Sequence, residues 1–222
     1  AAHDLAEVGP LQRDWLVLGH SEGGLAALAT DAAADEALPE LTYRGAVVAA
    51  PTPDLGTNAP AMFAIEGRGY AVLQLPAVAG IAPDLAPSVA LGPEAASREA
   101  LVTHGCWEEA VPGFDDIPPE QMLADPDAGE RLADVLTEWA AYDPATVVGP
   151  ILVVQGEADD SVLPPLTAQL VDELCAHLPT TEYRTYPGAG HDEVMAASSA
   201  DSAAWMAARL AGDPAPGTCG ES

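Results

Sequence analysis

Residues 19–23 read Gly-His-Ser-Glu-Gly and place a serine, Ser21, where it could act as a nucleophile. An apolar segment at 15–18 comes directly before this pattern, and an Ala- and Leu-rich segment follows it. A G-x-S-x-G pattern between a buried strand and a helix is typical of a strained turn that exposes the serine. The helix would begin at this turn, so we expect its dipole and the backbone N–H of Glu22 to stabilise a developing oxyanion.

A serine nucleophile needs a base, and His191 has the best placement among the histidines that follow Ser21. It lies in a Gly-rich loop between a predicted strand and the last predicted helix. His177 is predicted near a helix end, where a cation favours the helix dipole. His104 lies in the long central segment, where a structural or lid role is favoured. His20 precedes the serine directly, so its side chain is expected to pack rather than act as the base.

The base needs an acid that orients it, and Asp159 is the preferred candidate. In one known chain order of such triads the acid follows the serine and the histidine comes last. Asp159 comes three residues after the glycine that ends a predicted strand, which puts its carboxylate at the same sheet edge as Ser21. Asp160 remains an alternative, and Glu157 is a weaker one. We therefore predict that Ser21 attacks an acyl carbonyl, His191 carries the proton and Asp159 orients the imidazole.

The apolar runs predict an α/β fold whose mostly parallel sheet is covered by helices on both faces. Each predicted strand is short and is followed by Gly or Pro. The first three are almost continuously apolar, and the fourth is more polar. The predicted strands are 15–18, 45–50, 151–154 and 182–186, and the predicted helices are 22–35, 165–177 and 194–210.

A long segment between the second and third predicted strands contains no strand of comparable quality and is far longer than a plain crossover needs. We interpret residues 60–143 as a helical cap or lid insertion, with helical stretches near 93–104 and 118–142, between the two core segments 1–59 and 144–222. Its apolar side chains fit an acyl-binding lid or the packed core of the cap. They are Met62, Phe63, Leu73, Leu75, Val78 and Ile81.

The charge of the chain excludes several function classes. Acidic residues number 35 and basic residues 7, all of them Arg, which gives a formal net charge of −28 over 222 residues. Such a surface repels phosphate backbones and anionic lipid, so nucleic-acid binding is excluded as the main role. No apolar run is long enough to span a membrane. The sequence has no dinucleotide or phosphate-binding glycine loop and no zinc-ligand spacing, so we expect no cofactor and no metal.

Three cysteines allow at most one intrachain disulfide, which leaves one thiol over. Cys175 lies at the end of a predicted helix, and Cys219 lies in the Pro- and Gly-rich C-terminal tail. We expect these two to pair, with Cys106 left over, which would indicate an oxidising compartment. Three reduced cysteines that pack as small apolar side chains remain the alternative.

The chain resembles the α/β-hydrolase superfamily and, within it, the secretory lipase family of the fungal lipase A type with actinobacterial relatives. The segments that carry this resemblance are 15–24, 49–55, 150–159 and 183–191. It implies hydrolysis of acyl esters, a helical lid, secretion and no cofactor. It also implies that Ser21 is the nucleophile, Asp159 the acid and His191 the base.

The resemblance also implies upstream strands and a second oxyanion-hole donor, yet only 20 residues precede Ser21. We therefore expect the N-terminal strands to be lacking, which would open a sheet edge to a partner chain or to self-association. The expected substrate is a small acyl ester or a lipid, and contact with a lipid interface is a further expectation. The sequence identifies no substrate-binding residues. The leading function is a lipase-like ester hydrolase for medium to long acyl chains. The alternatives are a short-chain carboxylesterase and a truncated, catalytically weak module that binds acyl groups.

The acidic excess has two interpretations that stability in salt separates. Dispersed carboxylates either keep the chain soluble or adapt it to high salt, where counterions screen their mutual repulsion. The second interpretation predicts that the melting temperature rises between low and molar NaCl, measured by circular dichroism. An unchanged or falling melting temperature would leave solubility as the explanation.

Overall fold

In the part of the chain that the structure describes, four parallel strands form one sheet in the order β1-β2-β3-β4. The computed structural model describes residues 12–52, 55–56, 59–139 and 143–220. The strands are β1 (Asp14–His20), β2 (Thr42–Ala49), β3 (Ile151–Gly156) and β4 (Thr181–Tyr186). Because all four run in the same direction, their carboxyl ends meet at one edge of the sheet, which is where an α/β fold places its functional residues.

Ten α-helices occur in the described part of the chain, and the two longest, α1 and α10, belong to the sheet-bearing part. They are α1 (Glu22–Ala37), α2 (Ala59–Met62), α3 (Gly69–Val78), α4 (Pro87–Ala90), α5 (Pro93–Ala96), α6 (Ala100–Thr103), α7 (Trp107–Ala110), α8 (Ala128–Trp139), α9 (Pro164–Cys175) and α10 (Glu193–Ala211). Short 3₁₀ turns occupy Pro83–Leu85, Pro112–Phe114, Pro119–Gln121 and Pro144–Thr146. No helix in these described ranges is both long and apolar enough to cross a bilayer.

The central strands are buried on both faces, because alternate residues of β2 and β3 point to opposite sides. Ala46 and Val48 of β2 pack with α1 and α9 on one face. Val47 and Ala49 pack on the other face with Val194 and Trp205 of α10. This explains why the strands read as continuous apolar runs, and it confirms the predicted α/β architecture with helices on both faces.

The two predicted helical stretches of the central segment are helical only in part, and residues 140–142 of the second lie outside the described ranges. The stretch 93–104 breaks into α5 and α6, where the hydroxyl of Ser97 bonds the carbonyl of Glu94 at 2.7 Å and competes with the helical pattern. The stretch 118–142 contains a 3₁₀ turn, and its helix begins only at Ala128. The carboxylate of Asp125 accepts the N–H of Asp127 at 3.1 Å there and holds a turn before the helix.

The chain divides into two compact units, Ala1–Pro53 with Tyr142–Ser222, and Asp54–Ala141. The second unit has its own apolar core, built mainly on α3 and α8 and including Phe114 and Met122. Phe63, Leu75 and Val78 are buried in that core, whereas Ile81 is 51% exposed. For these three side chains, packing inside the unit is the interpretation that the structure supports; the role of the unit as a cap stays a prediction.

The C-terminal tail is fastened to the edge of the sheet at β4. Thr218 donates its N–H to the carbonyl of Thr181 at 3.0 Å and accepts the N–H of Tyr183 on its hydroxyl at 3.0 Å. Cys175 and Cys219 form a disulfide, as expected, and Cys106 is free and exposed. The tail therefore occupies backbone groups of β4 and is tied covalently to α9.

A buried carboxylate, Asp31 of α1, joins three parts of the sheet-bearing unit. It accepts the hydroxyl of Tyr43 at 2.7 Å and the backbone N–H groups of Val148 and Gly149 at 2.7 and 3.1 Å. Burial, the charge of Asp31 and this hydrogen bond raise the pKa of Tyr43 well above its ordinary value. The segment that leads into β3 is therefore held to α1 and β2 by one side chain.

We expect the disulfide to contribute substantially to stability, because it closes a loop across a separation of 44 residues. Loop-closure entropy gives an upper value of about 4 kcal/mol for the free energy of unfolding, and about 2–4 kcal/mol is typical. Urea unfolding of a Cys175→Ala/Cys219→Ala variant should show this loss, and Cys106→Ala is the matched control. A loss no greater than that of the control would contradict a stabilising role for this bridge.

Candidate active site

Ser21 occupies a strained turn between β1 and α1. Its φ is 58° and its ψ is −125°, a conformation that non-glycine residues rarely adopt. Gly19 is required here, since a Cβ on it would lie 1.8 Å from the carbonyl oxygen of Gly23. A Cβ on Gly24 would lie 2.9 Å from that of Pro51. The two crowded glycines let the chain turn sharply enough to expose the serine at the carboxyl edge of the sheet.

The structure brings Ser21, His191 and Asp159 together in one chain of hydrogen bonds. The Oγ of Ser21 lies 2.9 Å from Nε2 of His191, and Nδ1 of His191 lies 2.9 Å from Oδ2 of Asp159. The side chain of His191 is 18% exposed and that of Asp159 is fully buried. The predicted nucleophile, base and acid thus stand in the order that proton transfer from a serine requires.

The environment of Asp159 keeps its carboxylate ionised. Burial alone would raise its pKa, but hydrogen bonds from His191, the N–H of Val162 and Gln155 outweigh burial and lower the pKa below its ordinary value of 3.8. Because the pKa of Asp159 is lower in the folded state than in the unfolded state, its ionisation stabilises the fold at pH values above the unfolded-state pKa. This contribution is lost as the pH falls through the folded-state pKa. At neutral pH the acid is therefore charged and able to stabilise an imidazolium at His191.

Two buried polar residues next to Asp159, namely Gln155 and Thr167, belong to no motif of the sequence. Nε2 of Gln155 donates to Oδ2 of Asp159 at 2.9 Å, and the hydroxyl of Thr167 donates to Oε1 of Gln155 at 2.7 Å. The sequence does contain one signal for this contact, a glutamine near the end of an otherwise apolar strand. A polar side chain in a buried strand needs hydrogen-bond partners.

The alternative residues lie outside this hydrogen-bonded chain. Asp160 is exposed, and Glu157 is exposed and accepts the hydroxyl of Thr185 at 2.8 Å. His104 is exposed and pairs with the neighbouring Thr103 at 2.8 Å, and His177 lies just beyond the end of α9. The geometry therefore favours Asp159 over the other two carboxylates.

His20 packs, as expected, and its partner is His191, the predicted base. Its Nε2 lies 2.9 Å from the backbone carbonyl of His191, and the two imidazole rings are 4.6 Å apart. His20, His191 and Asp192 are close enough to hold a metal ion, with potential ligand atoms within 4.8 Å of one another. Both nitrogens of His191 already face Ser21 and Asp159, so this cluster is explained by the triad geometry without a metal.

Glu22, expected to supply an oxyanion donor, is the first residue of α1 and follows Ser21 directly. Its N–H therefore lies at the positive end of a 16-residue helix, where negative charge is favoured.

This chain belongs to the Alpha/beta hydrolase family, whose model matches residues 1–209. The structure is similar to Candida antarctica lipase A in its closed state, with a TM-score of 0.74 and 18% identity over 90% of this chain and 50% of that one. It is also similar to the rice cell wall degrading esterase LipA from Xanthomonas oryzae, with a TM-score of 0.61 and 15% identity over 90% of this chain and 58% of that one.

A putative hydrolase from Legionella pneumophila is similar as well, with a TM-score of 0.64 and 13% identity over 87% of this chain and 56% of that one. At these identities the likeness shows a shared fold. The chain spans about half the length of the lipase A structures. No curated protein matches the sequence.

The geometry predicts that Ser21 is reactive because Asp159 orients His191. Asp159→Asn should slow covalent labelling of Ser21 by a fluorophosphonate probe roughly 10⁴-fold, because an amide supports the wrong imidazole tautomer. Labelling is followed by intact mass spectrometry at pH 7. The matched control is Asp160→Asn, which should label like the unmodified protein; the opposite pattern would assign the acid to Asp160.

Proposed function

We propose that the protein is a carboxylic ester hydrolase that works through an acyl-enzyme on Ser21. The observation that carries the proposal is the unbroken hydrogen-bonded series from Ser21 through His191 to Asp159, with the serine on a strained turn. Membership of the Alpha/beta hydrolase family supports the same reaction class.

In the first half of the proposed reaction, Oγ of Ser21 attacks the ester carbonyl while Nε2 of His191 takes the hydroxyl proton. Asp159, ionised and buried, stabilises the imidazolium that forms. The carbonyl oxygen gains negative charge next to the N-terminus of α1, where the N–H of Glu22 is the proposed donor. A second donor is implied by the resemblance and stays a prediction.

In the second half, the tetrahedral intermediate collapses and the C–O bond to the alcohol breaks. The alcohol leaves with the proton from His191, and the acyl group stays on Ser21. Water then attacks the acyl carbonyl and gives its proton to His191. The acid departs, and the proton returns to Oγ of Ser21.

For the substrate we propose lipase-like esters with medium to long acyl chains. The fold shared with Candida antarctica lipase A supports this choice. Leu163 and Leu166, which follow the acid loop by a few residues, are 52% and 42% exposed and offer apolar surface in the sheet-bearing unit. The fold shared with the esterase LipA supports the runner-up, a short-chain carboxylesterase. A weak module that binds acyl groups without turnover is the third candidate.

We also propose that the protein acts outside the cell. The disulfide between Cys175 and Cys219 supports this, because such bonds persist in oxidising compartments. Contact with a lipid interface, and a partner chain or self-association at the β1 end of the sheet, stay predictions.

Hydrolysis of p-nitrophenyl esters from butyrate to palmitate tests the proposal. Ser21→Ala should reduce kcat on the order of 10⁶-fold, because the acyl-enzyme cannot form. Ser199→Ala, which changes an exposed serine on α10, is the matched control and should retain activity. A maximum hydrolysis rate at medium to long acyl chains would support the lipase-like function. A maximum at butyrate would support the short-chain carboxylesterase.

Equal rates in Ser21→Ala and the unmodified protein would overturn the proposed mechanism. Ester binding without turnover, measured by displacement of a fluorescent acyl probe, would then favour the binding module.

A further inference from the structure

We propose that Gln155 and Thr167 are positioning residues that set the direction of the Asp159 carboxylate and, through it, the imidazole of His191. The proposal rests on the proposed function of this site. It assigns a purpose to two buried polar side chains that the reaction itself does not touch.

The amide of Gln155 shares one carboxylate oxygen with the base. Its Nε2 donates to Oδ2 of Asp159 at 2.9 Å, and His191 Nδ1 meets that same oxygen at 2.9 Å. Nε2 also lies 3.2 Å from the backbone carbonyls of Gly156 and Val162. Three acceptors therefore surround the nitrogen end of this side chain, which is fully buried.

Thr167 holds the oxygen end of the amide, while the three acceptors determine that the nitrogen end faces Asp159. Its hydroxyl donates to Oε1 of Gln155 at 2.7 Å, and its side chain is also fully buried. An amide turned end for end would direct Oε1 at the carboxylate of Asp159 and at two carbonyl oxygens. That arrangement replaces hydrogen bonds by repulsion between acceptors, which is costly in a buried site.

The other oxygen of Asp159 is held by backbone. Oδ1 accepts the N–H of Ser161 at 2.9 Å and the N–H of Val162 at 2.8 Å. The carboxylate is therefore fixed at both oxygens, and Gln155 supplies the hold on the oxygen that orients His191. Without that hold, the carboxylate keeps the two N–H bonds to Oδ1, and the imidazole becomes the remaining hydrogen-bond partner of Oδ2.

The consequence extends to the nucleophile. The series Thr167, Gln155, Asp159, His191 and Ser21 is continuous, with every link between 2.7 and 2.9 Å. A small rotation of the carboxylate would change the direction of Nδ1 and thus the distance from Nε2 to the serine Oγ. Misplacement of about 1 Å at a reacting group costs roughly 10²-fold in rate.

The test compares three variants of the whole chain. Gln155→Met keeps a similar volume and removes the amide, so we expect kcat for a p-nitrophenyl ester to fall about 10- to 100-fold with KM within twofold. Thr167→Val keeps the shape and removes the hydroxyl, and we expect a smaller fall in kcat. Thr167→Ser restores the hydroxyl and should recover most of the activity lost in Thr167→Val.

A spectroscopic readout separates positioning from a general loss of packing. The proton between His191 and Asp159 should give a low-field resonance in the proton NMR spectrum of the unmodified protein. That resonance should shift or broaden in Gln155→Met and Thr167→Val and return in Thr167→Ser. Melting temperatures measured alongside show whether each variant is folded, and Thr167→Val serves if Gln155→Met does not fold.

The outcomes distinguish this inference from the proposed function. Normal kcat and an unchanged resonance in both Gln155→Met and Thr167→Val would overturn the positioning role while leaving the triad in place. A KM effect without a kcat effect would also overturn it. An unmodified protein that hydrolyses no ester would overturn the proposed function, and the resonance would then test the positioning alone.

Discussion

The strained turn at Ser21 is the constraint on which the rest of the site depends. Its backbone is held on both sides: the N–H of Ser21 donates to the carbonyl of Ala49 at 2.9 Å, and the N–H of Thr52 donates to the carbonyl of Ser21 at 3.2 Å. Ala50, fully buried and also at positive φ, turns the chain sharply after β2. Two such conformations cost about 1–3 kcal/mol each, so the surrounding packing must compensate for them.

The parallel sheet brings distant sequence positions together in one hydrogen-bonded site. Ser21 follows β1, Asp159 follows β3, and His191 follows β4, so three separate turns end at the same edge. Ser21 and His191 are 170 residues apart in the chain, yet Oγ of Ser21 lies 2.9 Å from Nε2 of His191. Because central strands buried on both faces cannot slide without exposing their apolar side chains, the register of the sheet fixes these turns relative to one another.

The sequence predicted the structure best where a single constraint, such as burial of a strand or crowding in a turn, determined the local conformation. Continuous apolar runs predicted the strands, and the crowded turn at 19–23 predicted the position of Ser21. Local rules failed in the central unit, because the hydroxyl of Ser97 and the carboxylate of Asp125 divert backbone groups from helices that the composition favours. Sequence reasoning also missed the partnership of Gln155 and Thr167, since it joins a strand and a helix through contacts that no local spacing specifies.

The hydrogen bonds of Asp31 have a consequence for which part of the chain can change in length. Asp31, Tyr43 and the backbone at Val148 and Gly149 anchor the return of the chain into β3 using groups of the sheet-bearing unit alone. In the sequence, the unit 54–141 lies between two stretches of the sheet-bearing unit. The second stretch is held in place by the hydrogen bonds of Asp31, which use no residue of the unit 54–141. The intervening segment can therefore change in length while the hydrogen bonds of Asp31, and with them the entry of the chain into β3, are preserved.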